Sequence, residues 1–180
     1  MKKEILQTRA TRLLSSGNVI LVTSAYKDKT NIVTLAWKTP LSHNPPLIGI
    51  CVAKTHFSSE LIQGSEEFII NLPELKLLDK VVFCGKTSGR DTDKFKETNL
   101  TPQKAKRITK TPFIAECGGH LEIRLRDIRE FGDHKLFVGE IIYAQAEEDL
   151  FDQTWDVDKA KLIYHLGGKY FTSCGNMINT

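Results

Sequence analysis

Short runs of β-branched and other apolar residues, each ended by turn chemistry, limit what this chain can fold into more than any other feature of it. Residues 19–25 and 32–37 flank the polar Lys27-Asp28-Lys29-Thr30-Asn31 and are predicted to pair as a hairpin. Pro45-Pro46 precedes Leu47-Ile48-Gly49-Ile50-Cys51-Val52, a continuous apolar run of the fully buried kind. Phe68-Ile69-Ile70-Asn71-Leu72 is a second such run, stopped by Pro73. Leu121-Glu122-Ile123-Arg124-Leu125 alternates apolar and polar residues, and residues 136–144 read as a long strand. Gly132-Asp133 between these two supplies hairpin-turn chemistry. Helices are few and short. Ser58-Ser59-Glu60-Leu61-Ile62 opens with a hydroxyl cap and an acid in its first turn. Residues 74–83 place Leu75, Leu78 and Val82 at helical spacing, and residues 91–98 form a third candidate. Many strands with little βαβ alternation predict a mainly β fold with short flanking helices, a barrel or a sandwich and not a doubly wound sheet.

Length and charge narrow the function classes. With 180 residues, a single domain over 1–180 is expected. A net charge of +3 and an apolar share of 41% make no case for nucleic acid or a membrane surface as partner. The basic run Lys104-Ala105-Lys106-Arg107-Ile108-Thr109-Lys110 lacks interleaved aromatics and is bracketed by Pro102 and Pro112, so a solvated connector is expected. Cys51, Cys84, Cys117 and Cys174 are far apart with no C-x-x-C, which fits isolated thiols in a reducing compartment. Met1-Lys2-Lys3-Glu4 leads into a polar segment without an apolar signal core, and no apolar run approaches membrane-spanning length. The expected location is the cytoplasm.

Four segments carry chemistry. Thr87-Ser88-Gly89-Arg90-Asp91-Thr92-Asp93-Lys94-Phe95 combines hydroxyls, a glycine without a Cβ, two cations and a helix start, with Asp91 placed to cap that helix. These are the parts of a phosphate-binding corner, and equally of a solvated loop entering a surface helix. In Asn31-Ile32-Val33-Thr34-Leu35-Ala36-Trp37-Lys38, alternation puts Ile32, Thr34 and Ala36 on a face against which a bulky ligand can lie; Trp37 is either a platform for a flat ring or core. Lys54-Thr55-His56-Phe57-Ser58-Ser59 runs from a strand end into a helix start, either an anion site or plain capping by Ser58. The Gly132-Asp133 turn projects His134 from a strand start. None of the five histidines has metal-ligand spacing, no G-x-G-x-x-G is present, and no Ser-His-Asp or Cys-His arrangement has a recognisable local context.

Taken in order, these segments resemble the flavin reductase-like FMN-binding family, which includes the flavoredoxins. The match continues through Ser42-His43-Asn44-Pro45-Pro46-Leu47, Asp79-Lys80-Val81-Val82-Phe83-Cys84-Gly85 and Tyr164-His165-Leu166-Gly167-Gly168-Lys169-Tyr170, and covers about residue 15 to 172. The resemblance implies an antiparallel Greek-key split β-barrel, a homodimer, and FMN near the subunit interface. Carried over by motif, Thr34, Ala36 and Trp37 line the isoalloxazine. Asn31 and the turn holding Cys51, Val52, His56, Phe57 and Ser58 add contacts along the flavin. Ser88, Gly89, Arg90 and Lys94 serve its phosphate. His134, the implied catalytic residue, and Tyr170 approach the ring or the nicotinamide side. Lys38 departs from the family, which has an aromatic or apolar residue there; it either faces the flavin or faces solvent. The implied activity is an NAD(P)H-dependent flavin or ferric-type reductase, passing electrons through FMN to a small-molecule or protein acceptor. The alternatives are a flavoredoxin-type electron carrier that does not oxidise NAD(P)H, and a non-enzymatic binding barrel.

Overall fold

The polar stretch at residues 27–31 closes more tightly than its length suggests. In the computed structural model, which describes residue 6, residues 10–14 and residues 17–178, strands β1 (Ile20–Tyr26) and β2 (Lys29–Leu35) run through it and leave only Lys27 and Asp28 as the turn. Lys27 takes the left-handed backbone conformation (φ 53°) that such a turn needs. The opening Met1-Lys2-Lys3-Glu4 lies outside the described residues, as do residues 179 and 180 of the expected domain. Strand β3 (Lys38–His43) pairs with β4 (Pro46–Ala53) across Asn44-Pro45, and helix α1 (Phe57–Ser65) leads into β5 (Glu67–Asn71). A 3-10 turn at Leu75–Leu77 opens α2 (Leu78–Lys86), and α3 (Lys94–Thr98) follows. A small pair, β6 (Pro102–Gln103) and β7 (Phe113–Ile114), precedes the long hairpin of β8 (Gly119–Phe131) and β9 (His134–Ala146). Gly132 turns this hairpin at φ 54°. A second hairpin, β10 (Ile163–Gly167) and β11 (Tyr170–Ser173), ends the fold. Among the described residues no helix is long and apolar enough to cross a membrane.

Seven strands form one antiparallel sheet in the order β2-β1-β5-β8-β9-β4-β3. Its two edge strands, β2 and β3, are separated in sequence only by Ala36 and Trp37. Two residues cannot span an open seven-stranded sheet, since extended chain covers only about 3.5 Å per residue. The sheet therefore curls until its edges meet, and the Cys51 amide of β4 donates to the Trp37 carbonyl at 3.0 Å, carrying the β3–β4 pairing back into that two-residue link. The result is the expected split barrel. Inward-facing residues fill it, including Ile20, Val22, Val33, Ile50, Phe68, Ile123 and Phe137, and Ile62 of α1 joins the same cluster. The opposite faces of β1 and β2 are buried too. Leu21 and Ile32 pack with Val81 and Cys84 of α2 and with Ile163 of the terminal hairpin. That double burial explains why residues 19–25 read as an almost unbroken apolar run.

Two expectations needed correction. The connector at residues 104–110, expected to be solvated, is held by Glu122, a polar residue of the alternating run 121–125 that is fully buried. Its carboxylate accepts backbone N–H bonds from Lys106 (2.7 Å), Arg107 (2.7 Å) and Ile108 (2.9 Å). Glu67 does the same for Lys110 (2.9 Å) and Thr111 (3.1 Å). The basic connector is thus solvated only in its side chains; its backbone is docked, with Ala105 and Ile108 buried on Ile69. The second correction concerns Lys38, which half-buries its chain and donates from Nζ to the Asn18 carbonyl just before β1.

Removing the Glu122 carboxylate leaves three N–H groups without their acceptor, so Glu122→Ala is expected to cost about 3 kcal/mol in chemical denaturation. Burial lowers the Lys38 pKa from 10.5 to about 8. The unfolded chain then binds more protons than the folded one between those values, so stability rises from about pH 8 to pH 10.5, by at most about 1.4 kcal/mol per pH unit. Denaturation curves of Lys38→Met, measured over the same range, are expected to lack that rise.

Candidate functional site

At the seam of the barrel, β2, the start of α1 and the segment after α2 enclose a cavity of about 210 Å³. Its walls come from Asn31 and Val33, from Thr55, His56 and Phe57, from the run Cys84-Gly85-Lys86-Thr87-Ser88-Gly89, and from Lys94. Asn31 is 3% exposed. Its amide donates to Ser58 Oγ at 2.9 Å, while Oδ1 is buried without a partner. Ser58 is therefore engaged by Asn31 rather than capping α1, and His56 at the cap position makes no side-chain cap bond either. The first N–H groups of α1 are left without a side-chain acceptor beside the cavity, where the helix dipole favours an anion. Gly89 lies so close to Asn31 that any Cβ would collide with its amide. The loop can descend onto the cavity only as glycine.

Lys94 begins α3 yet is only 4% exposed. Its ammonium donates to the carbonyls of Ile32 and Cys84, both at 2.7 Å, which leaves one N–H uncommitted. Burial holds its pKa below the ordinary lysine value. Burial also pushes the neighbouring Cys84 thiol up to about 11, so it is neutral at physiological pH. The His56 imidazole is held below its usual range, first by burial and then by the charges of Lys94 and His134.

A larger cavity, about 550 Å³, adjoins the first and shares Gly85 and Lys86 with it. Thr34 and Ala36 of β2 form one wall, Leu78, Val81 and Val82 of α2 another, and His165 and Phe171 of the terminal hairpin a third. Asp79, Lys86 and Lys169 bring charge to this otherwise apolar space. The Thr34 hydroxyl donates to the Val81 carbonyl at 2.6 Å and so ties β2 to α2.

Not every residue carried over from the sequence reaches these cavities. Trp37, 43% exposed, and His134 pack against each other with ring centroids 5.0 Å apart and planes tilted by 33°, and neither lines either cavity. His134 Nδ1 is 2.6 Å from Asp133 Oδ1. The Arg90 guanidinium pairs with Glu60 and lies over the Phe57 ring at 5.1 Å, outside the smaller cavity. Lys38 turns to Asn18 and lines neither space. Val52 points into the barrel core, Cys51 is half-buried on β4, and Tyr170 is 62% exposed with the Lys169 ammonium 5.9 Å from its ring. Ser88 accepts from the Arg90 amide at 3.2 Å. Asp93, not Asp91, caps α3 by accepting from the Lys96 amide. Thr55 belongs to the segment read as a candidate anion site, whereas Lys86 and His165 are cavity residues that no local signal marks as site residues.

Comparison with known proteins agrees with this architecture. Residues 12–172 match the family model described as a flavin reductase like domain. A protein of Archaeoglobus fulgidus is 34% identical over 146 residues, covering 81% of this chain and 82% of its own length. The flavoredoxin of Methanosarcina acetivorans superposes with a TM-score of 0.88 at 27% identity, over 100% of this chain and 95% of that one. The FMN-binding domain of a flavin reductases-like enzyme from Shewanella baltica does so with a TM-score of 0.82 at 25% identity, over 98% and 95%. A barrel closed at a two-residue seam, with two joined cavities beside that seam, is therefore how this chain builds its membership of the flavin reductase-like, FMN-binding family.

Proposed function

We propose that this protein is a flavin-dependent oxidoreductase that holds FMN along its two joined cavities and passes electrons from NAD(P)H to a small acceptor. The observation that carries the reading is the order of chemistry along the groove. The smaller cavity offers the uncapped start of α1, the remaining N–H of Lys94 and the hydroxyls of Thr55, Thr87 and Ser88, a donor set suited to a phosphate. Beside them the orphaned Asn31 Oδ1 is an acceptor awaiting a hydroxyl, such as a polyol chain supplies. Beyond Gly85 and Lys86 the apolar walls of the larger cavity suit a flat ring. Phosphate, polyol and ring are the three parts of FMN in sequence.

When bound, FMN supplies the hydride and electron chemistry that side chains cannot. The chain's own part is binding, orientation and electrostatics. Lys94 and the α1 terminus hold the anionic end. Asn31 positions both the glycine loop and the polyol. Thr34, its hydroxyl committed to α2, keeps the β2 wall fixed beneath the ring. Lys86, at the junction, contributes positive charge where electron density rises. The exposed Trp37 and Tyr170 and the half-buried His134 against Trp37 fit faces completed by a second copy of the chain, so a homodimer belongs to the proposal. Four unpaired cysteines suit a reducing location such as the cytoplasm.

Purified protein titrated with FMN is expected to give a stoichiometric visible spectrum, bleached anaerobically by NADH or NADPH. Failure to bind FMN at all refutes the proposal. Binding without bleaching by either nicotinamide leaves the electron-carrier reading, which the likeness to a flavoredoxin favours. Gly89→Ala, by pushing the loop off Asn31, is expected to weaken FMN binding at least about tenfold, or about 1.4 kcal/mol. Unaltered affinity in that variant would remove the phosphate assignment. Arg90→Ala, which removes the exposed Glu60 pair and the contact with the Phe57 ring outside the smaller cavity, is expected to leave affinity within about threefold, since such exposed contacts contribute little.

A further inference from the structure

We propose that Lys38 is a positioning residue for the ring end of the ligand: through Asn18 it holds the terminal hairpin against the seam of the barrel, and so sets the spacing between two walls of the larger cavity. The assignment rests on the reading that places a flavin along the two joined cavities. Ala36, one of the two residues of the seam link, lines the larger cavity, as do Gly168, Lys169 and Phe171 of the hairpin. Lys38 itself lines neither cavity and begins β3 directly after the link. Its effect on a ligand is therefore transmitted through the backbone that it holds.

The hairpin needs such a hold because it is a sheet of its own. Strands β10 and β11 pair with each other and stand outside the seven-stranded sheet. They meet the barrel along residues 18 and 19. The Val19 amide donates to the Ile163 carbonyl at 2.7 Å, and Asn18 forms an antiparallel bridge with Tyr164. Ile163 and Phe171 pack with Val19 and Leu21 in the same place. Apolar packing resists separation but has no direction, so it leaves a slide of the hairpin along the barrel unopposed. The hydrogen bonds oppose it, and they pass on the position that residues 17–19 hold. Further along, the Leu75 amide donates to the Lys161 carbonyl at 2.7 Å, which anchors the segment before β10.

Residues 17–19 are in turn fixed by the seam. Lys38 stands opposite Ile50 in the β3–β4 register, and opposed residues of an antiparallel pair project to the same face. Ile50 belongs to the barrel core, so the Lys38 chain enters the end of the barrel on its apolar side. Its ammonium then donates to the Asn18 carbonyl. Gly17 packs at the same point: a Cβ there would lie 3.5 Å from the Ala36 carbonyl and 3.9 Å from Lys38 Nζ. Residues 17–19 are thus a rib with the seam on one side and the hairpin on the other, and Val19 of that rib lines the larger cavity itself. A charge-assisted bond is stronger than a neutral one, and a half-buried ammonium is costly without it, so the tie is maintained from both ends. A methionine would fill the same space and offer the carbonyl no donor.

Two measurements test the assignment. In the ligand-free protein, amide hydrogen exchange read by mass spectrometry is expected to be at least about tenfold faster over residues 163–173 in Lys38→Met than in the native chain, and unchanged over residues 87–98. The second is titration with FMN and with riboflavin, which has the ring and polyol without the phosphate. Lys38→Met is expected to weaken both at least about fivefold and to keep the ratio of the two affinities within about twofold of native. Gly89→Ala, which acts at the phosphate end, is expected to weaken FMN more than riboflavin. Lys38→Arg, which keeps a cationic donor for the Asn18 carbonyl, is expected to bring both affinities back to within about threefold of native. The assignment is overturned by unchanged exchange in the hairpin of Lys38→Met, by unchanged FMN affinity, by a loss confined to FMN, or by an arginine variant as weak as the methionine one. Absence of FMN binding by the native protein instead overturns the functional reading, a result on which the exchange measurement does not depend.

Discussion

The ammonium of Lys94 lies 2.7 Å from the carbonyls of both Ile32 and Cys84, and so ties strand β2 to the last turn of α2. Withdrawing a charge from water costs several kcal/mol unless hydrogen bonds replace the lost hydration. Here two carbonyls do so, and only if strand, helix and α3 keep their mutual spacing. That spacing is also what leaves the smaller cavity open and sets the glycine loop against Asn31. Lys94 therefore belongs to the framework as much as to the site. The Thr34 hydroxyl makes the neighbouring tie to Val81, so β2 and α2 are joined at both cavities.

What the sequence makes legible follows from how local each signal is. The barrel strands stand out because their apolar runs and turn residues act over a few positions, and the edge-to-edge closure follows once β2 and β3 are seen to be consecutive. The Ser58 cap is not legible for a long-range reason. Ser58 has the right chemistry to cap α1, but Asn31, 27 residues earlier, claims its oxygen. Glu122 alternates like a surface residue, and only the fold brings the connector's N–H groups onto it.

The site divides the same way. The corner around Ser88 and Gly89, with Lys94, was readable as a group because hydroxyl, glycine and cation are adjacent. Arg90 sits in the same segment but pairs with Glu60, 30 residues away in sequence, a choice no local pattern predicts. The sequence allows Lys38 to face flavin or solvent, and the fold gives a third answer, the Asn18 carbonyl. His134 stands out as a histidine beside a tight turn, whereas it is the hairpin of His165 that reaches the larger cavity.

The sharing of Gly85 and Lys86 by two cavities of unlike character has a consequence for selectivity. A ligand that fills both loses its translational and rotational freedom once, so its second end docks at a high effective concentration. A fragment that fills either alone carries that whole entropic loss on half the contacts. The barrel thus discriminates by connectivity: two moieties held at the right separation by a flexible chain outcompete the same moieties supplied apart.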